Sequence, residues 1–228
     1  MKFLIVNGDD FGASRGINLG ILEAHLHGIL TSTSLMVNSP HSAEAADLAR
    51  GAPELSIGLH ADLDGHSGRT ADSLRRLRLE LHDQLRRFER LVGRPPTHID
   101  SHHNVHRNPQ VLPAFLELAE KEGLPLREHS PVRYFSKFYG QWGGRTHLEQ
   151  ISVESLARML ATEISDGISE LSCHPGRVEP EYETGYSVER EAEIRTLCAP
   201  FVRDVLTANS IRLVSYHDLG RLLKQVSA

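Results

Sequence analysis

The chain has 228 residues, 39% of them apolar and 24% charged, with a formal net charge of -5. That composition fits a globular protein with a real core and excludes a disordered or fibrous chain. No basic block marks a nucleic-acid binder, no apolar run approaches a membrane span, and the two cysteines form no CxxC pair, which argues against a disulfide framework.

The N-terminal "MKFLIVNGDD" turns polar after four apolar residues beyond Lys2. That is too short for a secretory core, so the reading expects a cytoplasmic protein without a membrane anchor. "FLIV" (Phe3–Val6) reads as a buried strand. Arg15–Leu30 reads as a helix, Thr33–Val37 as a strand, Ser42–Arg50 as a helix and Leu55–His60 as a strand. Ser73–Val92 is the clearest helix, with Leu74, Leu77, Leu81, Leu85, Phe88 and Leu91 at helical spacing. Then come a strand at "THID", a helix over Pro109–Glu122 closed by Gly123, and a strand at "LPLRE". Ser130–Glu149 reads as a long loop. A helix over Ser152–Ser165, capped by Ser152, precedes strands at Ile168–His174 and Ile211–Tyr216, which are separated by helical segments.

Strands alternating with helices imply parallel βαβ units. Their number predicts one domain over residues 1–228, a (β/α) barrel reduced or distorted to about seven strands. An open doubly wound sheet is the alternative. It calls for a glycine-rich loop after the first strand, where this chain has "NGDDFG".

The chemistry-bearing residues fall at strand ends. Asp9 and Asp10 end the first strand, His60 another, His98, Asp100 and His102 lie in and after "THID", and His174 follows "ISELSC". In a barrel these ends converge on one face. A carboxylate with two imidazoles is a common divalent-metal set that leaves positions open for water and substrate. Two adjacent aspartates can divide the labour, one binding the ion and one taking a proton. Each residue alone also has a plainer reading. Asp9 and Asp10 could cap the next helix, His60 could be a hydrogen-bonded core histidine, and His174 a loop residue. The cluster "HIDSHHNVH", with His98, Asp100, His102, His103 and His106, is harder to assign to packing.

"NGDDFG", "GLH", "PTHIDSHHNVH" and "SCHPG", together with "TSTSLMVN" and "IRLVSYHDL", resemble the YdjC-like (ChbG/HpnK) carbohydrate deacetylases over nearly the whole chain. The resemblance implies a barrel-like fold and metal-dependent removal of an N-acetyl group from amino sugars such as chitooligosaccharides. It implies Asp10, His60 and His102 as metal ligands, Asp9 as base, His174 as acid, and Asp100 as the group that orients a histidine. His98, His103 and His106 are left as supporting or substrate-facing residues. Asn104 stands where the family often has a third histidine, which implies that this position is dispensable. The segment after His60, "ADLDGHSGRTADS", is short, which implies an open pocket or one completed by a second subunit.

The reading is therefore a hydrolase with one divalent ion, magnesium or zinc first, manganese or cobalt next, acting on a small acetylated sugar. It expects no nucleic acid or membrane partner and is compatible with a homo-oligomer. Its rivals are a metal-dependent hydrolase of another amide or a phosphoester, and a non-catalytic sugar-binding protein.

Overall fold

The structure is a computed structural model that describes residues 1–63, 71–179, 182 and 185–226. Its first half runs β1 (Lys2–Phe11), α1 (Arg15–Leu26), β2 (Ser32–Leu35), α2 (Ser42–Arg50), β3 (Ser56–Ala61), α3 (Ala71–Val92), β4 (Ile99–Ser101) and α4 (Leu112–Glu122). The second half adds β5 (Arg133–Phe135), the small strands β6 (Gln141–Trp142) and β7 (Arg145–Thr146), α5 (Val153–Glu163) and β8 (Gly167–Cys173). It closes with α6 (Val188–Leu197), α7 (Pro200–Ala208), β9 (Ile211–Leu213) and α8 (Leu219–Val226).

Seven strands form one parallel sheet, ordered β4-β3-β2-β1-β8-β5, with β9 paired to the start of β1. β1 is shared: Lys2–Leu4 pair with β9, whereas Asn7 and Gly8 pair with β2. This offset curls the sheet into a half-barrel with helices packed outside, as the alternation of elements predicts. β1 is buried on both faces, which is why "FLIV" is apolar without a break. Leu4 and Val6 face the main core, while Phe3 and Ile5 join Ile168, Val214 and Tyr216 in a smaller cluster.

Two elements differ from expectation. "LPLRE" is no strand; it makes a single bridge, Leu126 to Ile99, before the chain turns away. The expected loop Ser130–Glu149 instead holds β5, paired to β8, and the β6–β7 hairpin. α1 also stops at Leu26, and the strand at Thr33–Val37 is β2, Ser32–Leu35. Residues 64–70 of the short segment after His60 lie outside the described residues. Among the described residues no helix is long and apolar enough to cross a membrane.

Candidate active site

Every candidate strand end opens on the same side of the sheet. Parity alone would send Asp9 and Asp10 to opposite faces of β1. The register of β1 against β2 shifts between Gly8 and Phe11, and Asp10 takes a left-handed φ of 69°. That bulge turns both carboxylates to the mouth, and Gly12, at φ 94°, completes the turn. Neither aspartate caps α1. Ser14 does so, its side chain accepting from the Ile17 amide, so the plainer reading of the pair fails.

Asp10 Oδ1 stands 3.3 Å from His60 Nε2 and 3.2 Å from His102 Nδ1. Bonds of about 2.1 Å to one ion at tetrahedral or octahedral angles require ligand spacings of about 3.0–3.4 Å. Both Asp10 spacings fall in that range, and all three donor atoms lie within 4.8 Å of one another, close enough to hold one divalent ion. The β3–β4 register sets His60 beside Asp100, and His60 Nδ1 donates to Asp100 Oδ1 at 2.7 Å. This fixes the ring and leaves Nε2 toward Asp10. Ser34 Oγ donates to the other Asp100 oxygen at 2.9 Å. Burial opposes a charged His60 ring, yet Asp100 and Asp10 outweigh it and hold its pKa up at about 10 in the metal-free protein. Arg190 Nη2 donates to Asp10 Oδ2 at 2.6 Å, so only Oδ1 faces the two imidazoles. Burial pushes Asp10 toward the neutral form, but Arg190 and the two histidines keep it well below the usual carboxylate range.

Asp9 sits in an adjoining network that shares Asp100. Arg127, fully buried, donates Nη1 to Asp9 Oδ2 and Nη2 to Asp9 Oδ1, both at 2.8 Å. The same guanidinium meets Asp100 Oδ2 at 2.7 Å and Glu170 Oε1 at 2.6 Å. Burial would raise Asp9, but Arg127 lowers it, so the carboxylate stays ionised. Asp9, His60 and Asp100 also converge. Arg127 already supplies the positive charge there, so the geometry favours one ion over two.

His174, just past β8, places Nε2 3.9 Å from Asp9 Oδ2. Burial lowers its pKa. Its backbone amide donates to Glu193, and Tyr186 OH donates to the other oxygen of that carboxyl at 2.5 Å. Asp9, Asp10, His60, His102, His174 and Arg190 line a cavity of about 510 Å³ whose walls also include Asn104, Tyr134, Tyr139 and Tyr182. A larger cleft of about 750 Å³, between α4 and α8, shares none of its lining.

The remaining candidates separate. His103 lies at the rim with its ring against His102. Asn104, expected to be dispensable, lines the cavity with a buried, unpartnered Oδ1. His106 is buried away from the cavity, with Nδ1 2.6 Å from Ser101 Oγ and Nε2 3.3 Å from Glu128. His98 does not reach the site: it stacks on Tyr216 at 3.9 Å and fills the space beside Gly58, where any Cβ would strike its ring. Sequence reasoning passed over Arg127, Arg190 and Glu193. The one available signal was an arginine inside the apolar run "LPLRE"; in "VEREAEIRTL" the buried charges look like a solvated helix face.

The sequence model of the YdjC-like protein family matches residues 3–208. The chain belongs to that family. Among its relatives is a carbohydrate deacetylase of Geobacillus stearothermophilus, 36% identical, with 97% of this chain and 99% of the relative covered. A chitooligosaccharide deacetylase of Serratia marcescens is also 36% identical, with 96% and 99% covered. The YdjC-like chain superposes on a crystallised Enterococcus faecalis protein, provisionally named for cellobiose-phosphate cleavage, at a TM-score of 0.81 and 29% identity, covering 96% and 98%. A cobalt-containing family 4 acetyl xylan esterase of Clostridium thermocellum matches at a TM-score of 0.59 and 16% identity, covering 97% and 91%, and shares the fold.

Proposed function

We propose that this chain is a metal-dependent hydrolase that removes the N-acetyl group from an amino sugar or short chitooligosaccharide. One observation carries the reading: Asp10, His60 and His102 converge at the mouth of a cavity whose walls also present Asp9 and His174. The names of the two deacetylase relatives supply the reaction class.

Asp10, His60 and His102 would hold the ion, which when bound supplies Lewis acidity toward an acetamide oxygen and acidifies water. Two imidazoles and one carboxylate place zinc or cobalt ahead of magnesium. Asp9, kept ionised by Arg127, accepts a proton from the attacking water. His174 gives a proton at Nε2 to the departing nitrogen. Asp100 holds His60 in the tautomer that offers Nε2 to the ion. Cys173 is buried and free, and burial raises its thiol well above the usual range, so it offers no nucleophile. A two-ion phosphoester mechanism has less support, because Arg127 stands where a second ion would bind.

The test is acetate release from N-acetylglucosamine and its oligomers by protein stripped with a chelator and reloaded with zinc, cobalt or magnesium. Activity should vanish on stripping and return on reloading. No acetate from any of these sugars with any of the three ions would overturn the reading.

A further inference from the structure

His106, the last histidine of "HIDSHHNVH", has no part in the chemistry above, yet it is fully buried. It follows His102 by four residues, on an irregular piece of chain. β4 ends at Ser101, and His102–Arg107 forms a 3-10 turn that is broken inside: His103 and Asn104 both take left-handed φ, 52° and 51°. Two consecutive non-glycine residues in that region are uncommon, and they persist where surrounding contacts over-determine them.

Those contacts converge on His106. Ser101 Oγ accepts from the His106 amide at 3.1 Å and lies 2.6 Å from Nδ1 of the same residue. Burial lowers the pKa of the ring and favours its neutral form. One arrangement then satisfies every atom: the Ser101 hydroxyl donates to Nδ1, and Nε2 carries the proton and donates to Glu128 Oε2 at 3.3 Å. Ser101 and His106 thus tie the two ends of the turn together across residues 102–105. Phe115 of α4 meets the imidazole edge-on at 6.0 Å. Glu128 is fixed by Arg107, which donates Nε to Oε2 at 2.6 Å and Nη2 to Oε1 at 3.0 Å. Glu128 also directly follows Arg127, the guanidinium that holds Asp9. The hydrogen bonds therefore run from the turn that carries His102 to the segment that carries the counter-charge of Asp9.

Groups that orient a metal ligand without touching the ion are a main determinant of its affinity. Asp100 does this for His60. Resting on the ion site of the deacetylase reading, we propose that Ser101, His106 and Glu128 are positioning residues for the ion. They form a hydrogen-bonded brace that holds the left-handed turn in the shape that presents His102 Nδ1 to Asp10.

The test is zinc affinity, measured by chelator competition in folded protein without sugar, so it does not depend on turnover. His106→Leu removes both ring bonds and should weaken zinc about 10–100-fold. His106→Gln, whose amide can still donate to Glu128, should recover part of that loss. A double-mutant cycle separates positioning from general loosening. In a His102→Ala background the brace has no ligand to present, so His106→Leu should cost nothing further. Equal weakening in both backgrounds, or parental affinity in His106→Leu, overturns the brace and leaves the deacetylase reading standing. If His106→Leu does not fold, Glu128→Ala carries the same cycle from a side chain that is 29% exposed. It should weaken zinc about three- to tenfold in the parent and not at all with His102→Ala, and no loss in the parent overturns the brace. A parent protein that binds no zinc overturns the ion site and the brace together. The expected cycle without acetate release from any sugar supports the brace and overturns the reaction instead.

Discussion

Replacing Arg127 with methionine should be among the most damaging single changes in this protein. The side chain is 1% exposed and contacts Asp9, Asp100 and Glu170, all at least 96% buried. Removing it leaves three buried acids without that cation. Breaking a buried ion pair by deleting one partner costs about 3–5 kcal/mol. For a chain of this size each kcal/mol lowers Tm by about 2–4 °C, so a fall of about 6–20 °C is expected at pH 7.5. The pH dependence has a definite sign. Arg127 holds Asp9 and Asp100 below their usual 3.8, so their contribution is present above that value and lost as pH falls through the lowered values. Without the arginine, burial raises both groups and they take up protons, so the gap between variant and parent should be widest near neutrality and narrow toward pH 4. Thermal melts from pH 7.5 to 4 measure it. A fall under about 3 °C at pH 7.5, or a gap that widens in acid, would show that Arg127 is not the counter-charge of these acids.

Three further outcomes follow from the site and its surroundings. Asp9→Asn should keep its ion, measured by metal content, yet lose about 10²–10⁴-fold in turnover; near-normal turnover in metal-loaded variant removes Asp9 as base. His174→Ala should likewise retain the ion while turnover falls, and loss of metal would make His174 a ligand. Burial lowers His98 to about 4 from 6.5, so it stays neutral in the fold while the unfolded chain takes a proton; that stability is present above 6.5 and lost as pH falls toward 4. His98→Leu should therefore melt with a shallower pH dependence between 6.5 and 4, and an unchanged slope would count against a buried neutral ring.

The strands of the first half were legible because burial on both faces leaves an unbroken apolar run, and α3 because one face alone is buried. β5 was not. "RYF" is three residues long, and it becomes a strand only because β8 offers a free edge. The converging residues Asp10, His60 and His102 could be read from their places at strand ends. What surrounds them could not. Whether Arg190 or Glu193 is a surface charge or a buried anchor depends on what α6 packs against, and their local pattern is the same in either case. His98 shows the reverse error: it sits in the densest histidine stretch of the chain, yet its ring is spent filling the gap left by Gly58.

The left-handed turn at Asp10 ties function to durability. An aspartate at φ 69° stores strain that glycine would relieve. Asp10→Gly would also take the carboxylate from the buried Arg190 guanidinium 2.6 Å away, and breaking a buried pair costs about 3–5 kcal/mol against about 1–3 kcal/mol of backbone strain. A directed-evolution campaign screened only by heat challenge would therefore tend to keep this aspartate, strain included, and with it the carboxylate at the cavity mouth.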